Sequence, residues 1–91
     1  HSGTVIARQL ARSGTSIGAN VEESRASESR LDFIHKLNIA LKEARETHYW
    51  LRIIHDKKLV ALDRLAGLVQ EAEEIKKILG ASVRTAKSKK K

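Results

Sequence analysis

The sequence predicts an all-α, antiparallel up-and-down helical bundle, and three observations carry that prediction. The 91 residues contain no Pro, so nothing in the chain forbids long uninterrupted helices. One Trp, one Tyr and one Phe are too few for a β-sandwich core. Apolar residues recur at alternating spacings of three and four over three long stretches, the period of a helix face.

The first helix is predicted over about residues 4–24. Ile6, Leu10, Ser13, Ile17, Asn20 and Ser24 keep the four-three rhythm, and Gly3, Leu10, Gly14, Ile17 and Val21 form an overlapping stripe. Inside it lies RSGTSIGAN, which invites comparison with a phosphate-binding loop. The Walker pattern requires a Gly-Lys-Ser/Thr ending, and the dinucleotide fingerprint requires a preceding strand. GTSIGAN has no Lys, and TVIARQLARS does not read as a strand. Gly14 and Gly18 each cost about 1 kcal/mol in a helix relative to Ala, so a packing reason is expected. With Ile17 and Val21 they are expected to face a neighbouring helix at close range; a break near Ser13–Ser16 is the alternative. Asn20 either sets register at a helix contact or marks the edge of the core.

The second helix is predicted over 27–56, capped by Ser27, with Asp32 at the positive end of its dipole. Phe33, Leu37, Ala40, Ala44, Thr47, Leu51 and Ile54 form its core stripe, and Ile39, Trp50 and Ile53 a second one. Two stripes are more than one intramolecular partner needs. Adjacent Tyr49 and Trp50 point about 100° apart and cannot face the same partner. Trp and Tyr are enriched at the energetic centres of interfaces. Tyr49 and Trp50 are therefore expected at a subunit interface, with Glu43, Arg45 and Glu46 at its charged rim. A turn at HDKK, 55–58, precedes a third helix over 59–83 carrying Leu62, Leu65, Val69, Ala72, Ile75, Leu79 and Val83. Gly80 is expected to end or fray it.

The net charge of +7 is concentrated at the end of the chain. Residues 84–91, RTAKSKKK, hold Arg84, Lys87, Lys89, Lys90 and Lys91 and no acid, leaving 13 basic and 11 acidic residues in the helical domain 1–83. Such an arm reads as solvated and suited to phosphate neutralisation. No catalytic set is evident. Ser13, Thr15 and Ser16 lack a nearby His base. His48 and His55 lie seven apart rather than four, His35 is isolated, and there is no Cys, so neither metal nor cofactor is expected. No apolar run approaches the ~20 residues that cross a membrane, and no signal peptide opens the chain, so a soluble cytoplasmic protein is expected.

QLARSGTSIGANVEES, DFIHKLNIALKEARETHYWLRII and IKKILGASVRT together resemble the bacterial four-helix-bundle family associated with intervening sequences in large-subunit ribosomal RNA genes, over about residues 4–84. Its relatives include the accessory variability determinant of diversity-generating retroelements. The resemblance implies homopentameric rings, and in that relative a basic barrel engaging nucleic acid and a reverse transcriptase. It also implies a helix ahead of RSGTSIGAN. This chain opens on His1 and reads as starting after that helix, which is either trimmed or replaced, and three helices with stripes on several sides would leave apolar surface that favours self-association. Two functions follow as expectations. One is a non-catalytic homo-oligomeric binder of RNA or an RNA–DNA intermediate. The other is an oligomeric scaffold that recruits a protein such as a polymerase.

Overall fold

The computed structural model describes residues 2–58 and 62–88, and everything there is helix or short connection. Three helices follow one another: α1 (Ser2–Arg25), α2 (Arg30–Asp56) and α3 (Leu62–Ser88). α1 runs unbroken through RSGTSIGAN. The predicted start of the third helix, 59–61, lies outside the described residues.

The α1–α2 connection turns on two serines with different tasks. Ser27 was expected to cap α2, but its hydroxyl donates to Glu23 O and serves the end of α1. Ser29 is the cap. Its backbone is extended (φ −139°, ψ 157°), and its Oγ accepts the Asp32 N–H at 3.0 Å. Asp32 thus sits in the first turn, where a carboxylate complements the dipole. At the other end of α2, Lys57 N–H donates to Ile53 O at 2.9 Å, and Lys58 turns the chain at φ 55°. That left-handed position usually takes Gly or Asn.

α2 is the centre of the molecule. Its cross-helix contacts run antiparallel: Lys36 meets Glu23, and Thr47 meets Ser13. On the other side Arg30 reaches Ala86 and His48 reaches Glu73. α1 and α3 each pack on α2 and, among the described residues, their backbones do not come within 8 Å of one another. The result is a slab of 47 × 21 × 14 Å rather than a closed bundle.

The predicted core stripe of α2 is buried at Leu37, Ala40, Ala44, Leu51 and Ile54, with Phe33 and Thr47 half-buried. Leu37, Ala40, Leu41 and Ala44 join Leu79 and Val83 of α3, with Ile17 and Val21 of α1 against them. Leu51, Ile54 and Ala72 form a second cluster with Ile6, Leu10 and Val69. Gly80 does not end α3, which continues for two further turns and buries Ala86. The side chains of Leu62 and Leu65 fall outside the described residues.

Within this chain the two glycines do not make the close helix contact expected of them. Gly14 and Gly18 are exposed, and a Cβ added to either meets nothing within 4 Å. The close approach of α1 to α2 is made instead at Ser13, which is 0% exposed and whose Oγ accepts from Thr47 Oγ1 at 2.9 Å. Ile17 and Val21 do pack against the core. Asn20 donates to Ser16 O at 2.9 Å and to Ser16 Oγ at 3.2 Å, serving its own helix.

Because α1 and α3 stand apart, an apolar trough runs between them along α2. One section, of about 210 Å³, is lined by Gly14 and Ile17, by Ala44, Thr47 and Leu51, and by Leu68, Ala72 and Ile75. A larger hollow of about 650 Å³ continues on the same side of α3, past Phe33, Ile78, Ser82 and Thr85. Positions 68, 71, 75, 78, 82 and 85 are spaced three and four apart, so they form one stripe of α3. Leu68, Ile75 and Ile78 are the large apolar side chains it leaves exposed.

Candidate functional site

The polar surface includes an internally neutralised part and a basic part, beside exposed acids such as Glu22, Glu28, Glu71 and Glu74 that form no ion pair with a described residue. The neutralised part lies between α1 and α2. Arg12 spans the two helices and hydrogen-bonds Glu46 Oε2, which also accepts from Trp50 Nε1 at 3.1 Å. These two hydrogen bonds hold the Glu46 carboxyl below its ordinary range. Glu43 is buried, and its Oε1 lies 3.3 Å from Arg12 Nη1 without accepting a hydrogen bond. Lys36 pairs with Glu23 at 3.1 Å.

Of the three residues expected at an interface rim, Glu43 is buried within the chain. Glu43 faces α1 inside the chain, and Glu46 is engaged by Arg12 and Trp50. Arg45 projects from another side of α2, toward α3. Trp50 is half-buried and Tyr49 is 55% exposed, with their rings in edge-on contact at 5.1 Å. Leu31, at 69%, is the other large apolar side chain α2 exposes.

Between α2 and α3, Glu73 is a hub. It receives Lys76 at 3.1 Å, Lys77 at 3.8 Å and His48 Nε2 at 3.2 Å. Its own carboxyl lies below the ordinary range, chiefly through the hydrogen bond from Lys76. Burial lowers the His48 pKa below 6.5, with Lys76 and Arg52 adding to it, and the Glu73 carboxylate only partly opposes them. The shift favours the uncharged imidazole, so the 3.2 Å approach of Nε2 to Glu73 Oε1 is weaker than the ion pair a protonated ring would make.

Above pH 6.5 both folded and unfolded chains hold His48 neutral, so it contributes nothing to pH dependence. Below 6.5 the unfolded chain takes the proton first, and stability falls until the pH passes the lower folded value. The urea midpoint is expected to fall between about pH 7.5 and about pH 5.5, and the fall to shrink in His48→Gln, which has no titrating group in that range. An unchanged slope in the variant would refute this account.

The basic part is carried by α3. Arg84 and Lys87 are exposed on its last turns, and Arg84 forms no ion pair with any described residue. Lys89, Lys90 and Lys91 lie outside the described residues. Among the described residues no group of three or more His, Asp or Glu side chains could hold a metal ion, and no helix is long and apolar enough to cross a membrane. Sequence reasoning missed Arg12, Ser13 and Glu73 as the cross-helix polar contacts. It also missed the stripe through Leu68 and Ile78, which its three-four spacing could have revealed.

The described residues define an all-helical protein of three antiparallel helices with an open apolar trough and a basic end. The 23S rRNA-intervening sequence protein family matches residues 2–81, and the chain belongs to that family. Among solved structures it is similar to a protein of unknown function from the S23 ribosomal protein family of Bacteroides thetaiotaomicron. The two are 44% identical, with a TM-score of 0.82 over 87% of this chain and 73% of that one. No curated protein matches the sequence.

Proposed function

We propose that this protein is a non-catalytic, self-associating accessory protein that binds RNA, or an RNA–DNA intermediate, through its basic surface and C-terminal end. One observation supports this most. Glu23, Glu43, Glu46 and Glu73 are all engaged by basic or His partners within the chain, whereas Arg84 and Lys87 ride out on a continuous helix toward the terminal lysines. Positive charge with no internal counter-ion is available to phosphates.

The trough between α1 and α3 suits the additional helix that the family resemblance implies, which would complete a four-helix bundle. Tyr49 and Leu31 then remain as the apolar surface of α2 for self-association. A five-fold ring would bring five basic ends together and multiply the field of each.

The test is the affinity for a single-stranded RNA as a function of salt. Because Ala86 is buried and its carbonyl accepts from Arg30, cutting the chain at residue 84 would remove core as well as charge. The informative variant instead ends at Ser88 and carries Lys87→Gln. Wild-type affinity is expected to fall about tenfold or more between about 50 and 200 mM salt, and the variant to bind more weakly with a shallower slope. Salt-insensitive binding, or none, would overturn the reading. It would favour a scaffold that recruits a protein, such as a reverse transcriptase, through Tyr49 and Leu31.

A further inference from the structure

The face of the α2–α3 pair turned away from the trough carries a furrow of about 260 Å³. Leu41, Arg45, Lys76, Lys77, Gly80 and Arg84 line it. Four of these six are cations and none is an acid. Arg45 and Arg84, one from each helix, form no ion pair with any described residue. Lys77 reaches Glu73 only at 3.8 Å, so its ammonium is loosely held. Gly80 supplies a floor without a side chain, and Arg84 folds back over it: a Cβ at position 80 would meet Arg84 Nη1 at 3.5 Å.

Lys76 and Lys77 share the single carboxylate of Glu73 while Arg45 and Arg84 have none, so the furrow keeps an excess of positive charge that an anion would relieve, and a concave wall focuses that field. The lining chooses the anion. No aromatic side chain is present to stack a base, and no carboxylate or amide is present to read one. Two guanidinium groups match phosphate oxygens in fork geometry, and two lysines add point charge. Lys77, Gly80, Arg84 and Lys87 are spaced three and four apart, so the furrow opens onto the same face of α3 that leads to the C-terminal lysines.

Resting on the nucleic-acid reading above, we infer that the Arg45–Arg84 furrow is a backbone phosphate site. It seats a phosphodiester of a single strand and directs the strand along α3 toward the basic end. Such a contact fixes position and is indifferent to sequence.

The experiment measures fluorescence anisotropy of a labelled single-stranded RNA with the full 91-residue chain at several salt concentrations. Three variants are compared with wild type: Arg45→Gln with Arg84→Gln, Gly80→Glu, and Arg8→Gln with Arg25→Gln. The last removes the same charge from α1, away from the furrow. The furrow pair is expected to weaken binding about tenfold or more and to lower the salt slope by about two contacts' worth, and the α1 pair to do much less. Gly80→Glu places an acid on the furrow floor, one turn from both Lys76 and Arg84, so it should keep the fold while binding is lost.

Equal weakening by the furrow and α1 pairs, or full binding by Gly80→Glu, overturns the site while leaving the nucleic-acid reading intact. Failure of the wild type to bind at all overturns that reading instead. Inorganic phosphate or a mononucleotide at millimolar concentration should not displace the RNA. Displacement would identify a free-phosphate site and overturn the strand assignment.

Discussion

Leu37→Ala is expected to destabilise the protein by about 2–5 kcal/mol, the range for emptying a buried leucine site. Leu37 is 5% exposed and sits where α2 holds both neighbours, with Leu79 and Val83 of α3 in its cluster and Ile17 and Val21 of α1 against it. Because α1 and α3 have no close backbone approach, α2 carries most of the packing that joins them, and little else compensates when it loses bulk. Domains have about 5–15 kcal/mol in total, and small ones sit low in that range. The variant should therefore lose much of its helix signal at physiological temperature, and its urea midpoint should collapse. A change below about 1 kcal/mol would mean that the cluster around Leu37 does not hold the slab together.

Ser13→Leu is expected to cost about 1–3 kcal/mol, while Gly18→Leu costs little or stabilises. The two positions lie five residues apart in the same segment and differ in what surrounds them. Ser13 has no exposed surface and meets Thr47 across the helix contact, so extra carbons must push α1 off α2 and break that hydrogen bond. Gly18 has open space where its side chain would go, and Leu is a better helix former. Thermal melts of the two variants beside wild type decide the matter. If Gly18→Leu is the damaging one, α1 is rotated relative to its place in this fold.

These two positions show how far the sequence could be read. The segment RSGTSIGAN was legible as helix, because its apolar phase continues without a break and no phosphate-loop spacing is present. Its small residues were legible as a site of close approach. Which small residue makes that approach was not, since the serine and glycine stripes overlap and differ only by a rotation about the helix axis. The cap of α2 was within reach: Ser29 stands three residues before Asp32, the spacing of an N-cap with an acid in the first turn. The charged residues of α2 were harder. Lys42 and Arg45 are close in sequence to Glu43 and Glu46, yet the partner of both acids is Arg12 of α1, 31 and 34 positions away.

The sequence by itself determined that the chain is helical, that it makes three long helices, and which stripe of α2 is core. Those properties follow from a local period and the absence of Pro, and they need no knowledge of neighbours. Tertiary structure alone decided that Ser13 rather than Gly18 lies at the contact, that Glu43 is buried against Arg12, and that Arg45 and Arg84 share a furrow. Each of these depends on how far one helix is rotated and shifted against another. That rotation is set by the combined packing of every residue along the contact, not by any short stretch of sequence.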